Sequence, residues 1–349
     1  MCKFTQIAKI WLIILPLTYI NLCLGQPNKK APVAVIFETD MGNDIDDALA
    51  LDMLYKYQDE GKINLLAISN NKNSPYSIPF LDVMNTWYGY PEIPLGTVKQ
   101  GANSEGDAKN YAELTLNYKE NNQLAFHSNL KKQQTINSVE MYRKLLKNQK
   151  DHSVIIISVG FSTNLARLLA SEADQLSSLS GLQLVAKKVK FLSVMAGEFN
   201  PNLENRFVEY NVAKDVNAAR SVFEKWPTDI YISPFELGDS IRYPGKSIAH
   251  DFMELNPHPL VIAYESYQQM PYDRSTWDLT SVLFAVERNA KGSSYFTISK
   301  PGKVYLDEEG KTSFKEGRGK HYILSVNSNQ RDQILARFVE LITRKPKNK

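Results

Sequence analysis

Ala34-Val35-Ile36-Phe37 is apolar without interruption, and the next ten residues, Glu38 to Asp47, carry five carboxylates. A short apolar run with no alternation reads as a strand covered on both faces. The acids cannot share that core, so the strand must end as they begin. A helix is expected next, with Ile45, Ala48, Leu49, Leu51, Leu54 and Tyr55 on roughly one face. The unit then repeats. Strands are predicted at Asn64–Ser69, Ser153–Ser158, Val189–Val194 and Asp229–Ile232. Helices are predicted near Pro79–Tyr88, Ile136–Leu146, Asn164–Leu169, Val216–Phe223 and Leu279–Val286. Alternating strands and helices imply right-handed crossovers and an open, mostly parallel α/β sheet flanked by helices. Segment 98–136 is polar and reads as a long loop with a short helix. Beyond the helix near Val286 the pattern changes. Tyr295–Ile298, Lys303–Leu306 and Lys311–Phe314 look like short strands of a small C-terminal β appendage, about 292–327, before a terminal helix at Asp332–Thr343.

With 349 residues and 43% hydrophobic content, the chain can bury a large core. Lys3 and Lys9 precede an apolar run from Ile10 to Leu24, then Gly25 and a polar stretch. That is the pattern of a secretory signal peptide over residues 1–25, cleaved near Gly25, leaving one α/β domain over 26–349. The run is short for an uncleaved membrane anchor, and Leu22 before Cys23 argues against lipidation. The mature protein is expected to be periplasmic or secreted, with no stable membrane insertion. Cleavage removes two lysines, taking the net charge from +3 to +1, and both cysteines, Cys2 and Cys23. No disulfide or thiolate chemistry is then expected. Basic residues concentrate only in the tail, at Arg344, Lys345, Lys347 and Lys349, so nucleic acid is not an expected partner. The sequence leaves open whether copies associate into a homo-oligomer.

The acids fall where an open parallel sheet binds its ligands, outside the carboxyl ends of the strands. Crowded carboxylates raise one another's pKa, and a hard divalent cation relieves that conflict. Calcium takes several oxygen ligands at ~2.3–2.6 Å, and this cluster offers oxygen alone. A cation beside Asp40 would lower the pKa of a water, and the carboxylate could take its proton.

Glu38-x-Asp40 followed by Asp46-Asp47-Ala48-Leu49-Ala50 resembles the Asp-x-Asp-x-x-x-Asp-Asp opening of the inosine-uridine-preferring nucleoside hydrolases. Here Glu38 replaces the first aspartate, and Gly42-Asn43-Asp44-Ile45 lengthens the loop by two residues. Gly160-Phe161-Ser162-Thr163-Asn164-Leu165-Ala166, Met195-Ala196-Gly197, Glu209-Tyr210-Asn211 and Trp277-Asp278 resemble the family's later segments in the same order, over roughly residues 33 to 290. The resemblance implies calcium-dependent cleavage of the N-glycosidic bond of a ribonucleoside or related N-riboside, releasing base and ribose for salvage. It implies that Asp40, Asp47, Asp278 and the Val159 carbonyl hold one calcium, with Asp40 also the base. Asp46, Asn71, Met195, Glu209, Asn211 and Trp277 are implied to meet the substrate. A further family asparagine corresponds to Asn202 or Asn205. Trp277 stands where the family's common subgroup has a histidine, and none of His127, His152, His250, His258 and His321 falls in a matched segment. Two rivals stay open: a haloacid-dehalogenase-like phosphatase, whose nucleophilic aspartate would fall at Glu38, and a secreted nucleoside- or sugar-binding protein without catalysis.

Overall fold

The computed structural model describes residues 31–349 apart from 104–109, 129, 131–134 and 289–293. The expected signal peptide lies outside the described residues. Residues Pro32–Lys349 form one compact unit. No helix among the described residues is long and apolar enough to cross a membrane.

An eleven-stranded sheet runs through the unit. Across it the strands lie in the order Thr312–Glu316, Gly302–Leu306, His321–Ser325, Asp229–Ser233, Val189–Met195, Val154–Ser158, Val33–Thr39, Ile63–Asn70, Leu95–Thr97 and Ile136–Asn137, with Thr297–Ile298 paired to His321–Ser325. From His321–Ser325 to Ile136–Asn137 every neighbouring pair is parallel. The central strand carries Phe37 beside Ile68 on one side and Ile157 on the other, all buried. Each such side chain contributes about 1.5–3 kcal/mol by leaving water, which is why the run of aliphatic residues selects this middle position.

Register brings the strand ends together. Glu38 pairs with Ser158, Ser158 with Val194, and Met195 with Ser233. Asp40, Val159 and Ala196, one residue beyond their strands, therefore emerge side by side. Helices Asp46–Asp59 and Trp277–Glu287 start at this same edge; the backbone N–H of Asp278 donates to Asp46 Oδ2 at 3.0 Å. Helix Asp46–Asp59 is buried almost all round, since the terminal helix Ser328–Ile342 covers its far side and Lys56 Nζ donates to the Ile342 carbonyl.

The C-terminal β strands join the edge of the main sheet. His321–Ser325, which sequence patterning missed, pairs in parallel with Asp229–Ser233, and the hairpin Gly302–Leu306/Thr312–Glu316 extends the same sheet. Its signal is weak because only Tyr322, Ile323 and Leu324 are apolar, between Lys320 and Ser325. The physical reason for the join is an otherwise unpaired edge at Asp229–Ser233. Segment 98–136 does contain a short helix, Tyr111–Leu116, and also a two-residue hairpin, Lys119–Glu120 with Gln123–Leu124.

Candidate active site

A cavity of about 250 Å³ opens at the carboxyl edge of the sheet. Asp40, Asp46, Asp47 and Asp278 form its acidic end, and all four are buried. Ligand oxygens of Asp46, Asp47 and Asp278 lie within 4.8 Å of one another. Asp46, which the resemblance places against ribose, thus stands next to Asp47 and Asp278, and Asp40 lines the same cavity. The cause is local. Asp46 and Asp47 open the helix together, and Asp46 is drawn toward Asp278 by the N–H bond between their helix starts. The Thr39 hydroxyl donates to Asp47 Oδ1 and fixes that carboxylate over the strand end.

The electrostatics show what the acids lack. Burial pushes Asp40 up to about 7, partly countered by the Lys72 ammonium. Burial, reinforced by the neighbouring aspartates, drives Asp47 and Asp278 well above the carboxylate range; burial and Asp44 do the same to Asp46. Four carboxylates out of water, repelling one another, are stable as anions only with a cation among them. The donors are all oxygen, which fits a hard cation. The cluster can therefore hold a metal ion.

The polar wall is built from Glu209 and Asn211. Glu209 caps helix Tyr210–Lys214, accepting from the N–H groups of Asn211 and Val212, and it also accepts from Gly197 N–H at 2.9 Å. These bonds pin its carboxylate against the turn after Met195. Asn211 Nδ2 donates to the Val159 carbonyl at 3.0 Å and contacts Met195 O and Sδ, so the wall is tied to two strand ends. Val159 and Met195 both line the cavity.

Phe235, Tyr267 and Trp277 give the lining an aromatic wall. Trp277 donates its indole N–H to the Phe235 carbonyl at 2.9 Å, and the two rings lie 5.4 Å apart. The lengthened loop crosses between the walls. Asn43 Nδ2 donates to the Tyr210 hydroxyl at 2.7 Å on one side; on the other, Arg274 grips Asp44 through both Nε and Nη2.

Of the residues named from sequence, Asn71 does not line the cavity. It is buried behind Asp40, where its Oδ1 accepts from Phe161 N–H at 3.0 Å. It braces the turn that carries Val159. Glu38 is likewise behind the site, bonded to Asn164 Nδ2 and pushed by burial up to about 8. Neither Asn202 nor Asn205 lines the cavity, and no histidine among the described residues does. Sequence reasoning missed Tyr210, Phe235, Tyr267 and Arg274, and left Asp44 undecided. The aromatics carry no spacing signal; Arg274 reaches Asp44 across 230 residues.

An open parallel sheet with a buried acidic nest at its carboxyl edge, faced by a polar wall and an aromatic wall, defines an α/β enzyme of hydrolytic type. The profile of the family described as inosine-uridine preferring nucleoside hydrolase matches residues 35–323, and the chain belongs to that family. Among solved structures it is similar to a plant nucleoside hydrolase (17% identity, 90% of this chain and 100% of that one, TM-score 0.69). It is also similar to the inosine-uridine preferring nucleoside hydrolase of Bacillus anthracis (15%, 88% and 99%, TM-score 0.64) and a purine-preferring ribonucleoside hydrolase from Gardnerella vaginalis (15%, 89% and 99%, TM-score 0.64). No curated protein matches the sequence closely enough to count. Family and fold together support hydrolysis of the N-glycosidic bond of nucleosides.

Proposed function

We propose that this protein is an exported, calcium-dependent hydrolase that separates the base of a ribonucleoside from its ribose. The observation that carries the reading is the cavity itself, whose lining combines buried acids, the carboxylate and amide of Glu209 and Asn211, and aromatic rings. Asp46, Asp47 and Asp278, with Asp40 and the Val159 carbonyl, would hold the calcium. When bound, such a cation supplies Lewis acidity and makes water a better nucleophile at neutral pH.

The remaining work falls to the side chains. Asp40 takes the proton of the attacking water. Glu209 and Asn211, two residues apart and rigidly tied, present an acceptor and an amide to vicinal ribose hydroxyls, which both donate and accept. Water attacks C1′ as the glycosidic bond breaks through an oxocarbenium-like transition state; related glycosidases stabilise that charge with carboxylates. Here the acidic nest lies on the sugar's side. Phe235, Tyr267 and Trp277 stack on the base. Export rests on the composition of residues 1–25 alone.

A panel of purine and pyrimidine ribonucleosides, read out as free base and reducing sugar, tests this. Equimolar base and ribose from at least one of them is expected. Tight binding of nucleosides with no base released would favour the binding-protein rival, and phosphatase activity with no glycosidase activity would favour the other.

A further inference from the structure

The loop that lengthens the opening motif brings an asparagine of its own to the cavity. Among the described residues the asparagines of the lining are Asn43 and Asn211. Asn211 is already tied to Val159 and Met195. Asn43 is buried too, and its backbone is held on both sides. Before it, Gly42 turns the chain at a φ of 112° and donates its N–H to the Tyr111 hydroxyl at 3.0 Å. After it, Arg274 clamps Asp44 through Nε and Nη2. The side chain is oriented as well, since Nδ2 donates to the Tyr210 hydroxyl at 2.7 Å. Tyr210 lies between Glu209 and Asn211 in sequence and lines the same cavity. Asn43 therefore continues the polar wall. Its Oδ1 makes no hydrogen bond among the described residues, and it is not sealed in the interior. An amide oxygen held still in a nearly buried place is poorly satisfied until a ligand brings it a donor.

We infer that Asn43 is a further specificity-determining residue: its Oδ1 accepts a hydrogen bond from the primary hydroxyl of the sugar. The inference rests on the ribonucleoside reading. A ribose bound as a nucleoside carries two vicinal ring hydroxyls and one hydroxymethyl group. In that reading Glu209 and Asn211 take the vicinal pair. The sugar hydroxyl left for the next residue along the wall is the 5′ one. An amide oxygen accepts from a hydroxyl and gains nothing from a methyl group in its place. Because Gly42, Asp44 and Tyr210 fix Asn43 beforehand, little ordering cost offsets the bond. The two-residue lengthening thus adds a sugar contact that comes from the first loop.

The test compares kcat/KM for inosine with 5′-deoxyinosine, and for uridine with 5′-deoxyuridine, with 2′-deoxyinosine as a control. The wild type should favour the 5′-hydroxylated member of a pair by roughly tenfold, because the analogue leaves a buried acceptor unpaired. For Asn43→Ala the loss on the hydroxylated substrate should exceed the loss on its 5′-deoxy counterpart by a similar factor, with discrimination against 2′-deoxyinosine kept. Tyr210→Phe removes the hydroxyl that orients Asn43 and should narrow the same preference in part; it also serves if Asn43→Ala melts early. A merely structural role would lower both members of a pair alike, and that result would overturn the inference. A wild type that cleaves both members of each pair equally well would overturn it too, leaving the ribonucleoside reading standing. Cleavage of no nucleoside by the wild type would remove that reading and the inference with it.

Discussion

Asp40 illustrates how one residue's place follows from its neighbours. It stands one position past a strand whose apolar side chains cannot be moved from the core, so its carboxylate must face the cavity edge. If it is the general base, Asp40→Asn should lower kcat by about 10²–10⁴ with little change in fold, measured by initial rates beside a circular dichroism spectrum; wild-type turnover would remove the role. Asp40 was legible in the sequence from its place just past the first strand, whereas Glu209 and Asp278 were named only because Glu209-Tyr210-Asn211 and Trp277-Asp278 resemble family segments. Asp46 was legible as a site residue but not as a triad member. Adjacent residues on a helix point about 100° apart, and only the partner helix decides which carboxylate turns toward which. Asn71 lies outside the cavity lining, and a polar residue after a strand looks the same in sequence whether it meets ligand or braces a neighbouring turn.

At the scale of elements, the site depends on strand ends approaching more closely than side chains allow. A Cβ at Gly160 would lie 2.6 Å from the Asp40 backbone nitrogen, 2.7 Å from Asp40 Oδ1 and 2.6 Å from Asn71 Oδ1. Two of those atoms belong to Asp40 and one to Asn71 behind it, so the strand ends must part. Gly160→Ala should therefore cost activity by at least about tenfold, and stability by about 1–3 kcal/mol as in overpacked cores. Both are measurable by kinetics and denaturant titration, and an unperturbed variant would contradict the packing described. The strand–helix order was readable throughout because burial on both faces leaves its mark in aliphatic runs. The edge strand His321–Ser325 was not, since only part of it is covered and its partner lies far along the chain. Of the aromatic side chains, Trp277 was named through the family resemblance, but Phe235 and Tyr267 were invisible: they come from separate helices, and apolar rings look alike whether they face core or ligand.

For the whole molecule, buried acids make stability depend on pH and on the cation together. Asp40 is raised to about 7, and Asp46, Asp47 and Asp278 are raised well above the ordinary aspartate range. The folded protein thus keeps protons that the unfolded chain releases above the ordinary aspartate range. Stability of the cation-free protein must fall as pH rises from about 4 to beyond 7, because the unfolded state binds fewer protons there. Thermal melts in chelator should show Tm declining between pH 5 and pH 8. Saturating calcium should raise Tm more at pH 8 than at pH 5, since it favours the deprotonated nest and binds the folded state alone. A flat or rising profile in chelator would mean that the acids are charged without help.

The most direct measurement of the account is a calcium titration of chelator-stripped protein, following binding calorimetrically and ribose release from a cleaved nucleoside in parallel. The expected result is background turnover in the stripped protein, restored in step with one calcium per chain, and loss of both binding and turnover in Asp278→Ala. Full turnover in protein shown by elemental analysis to hold no divalent metal would contradict it.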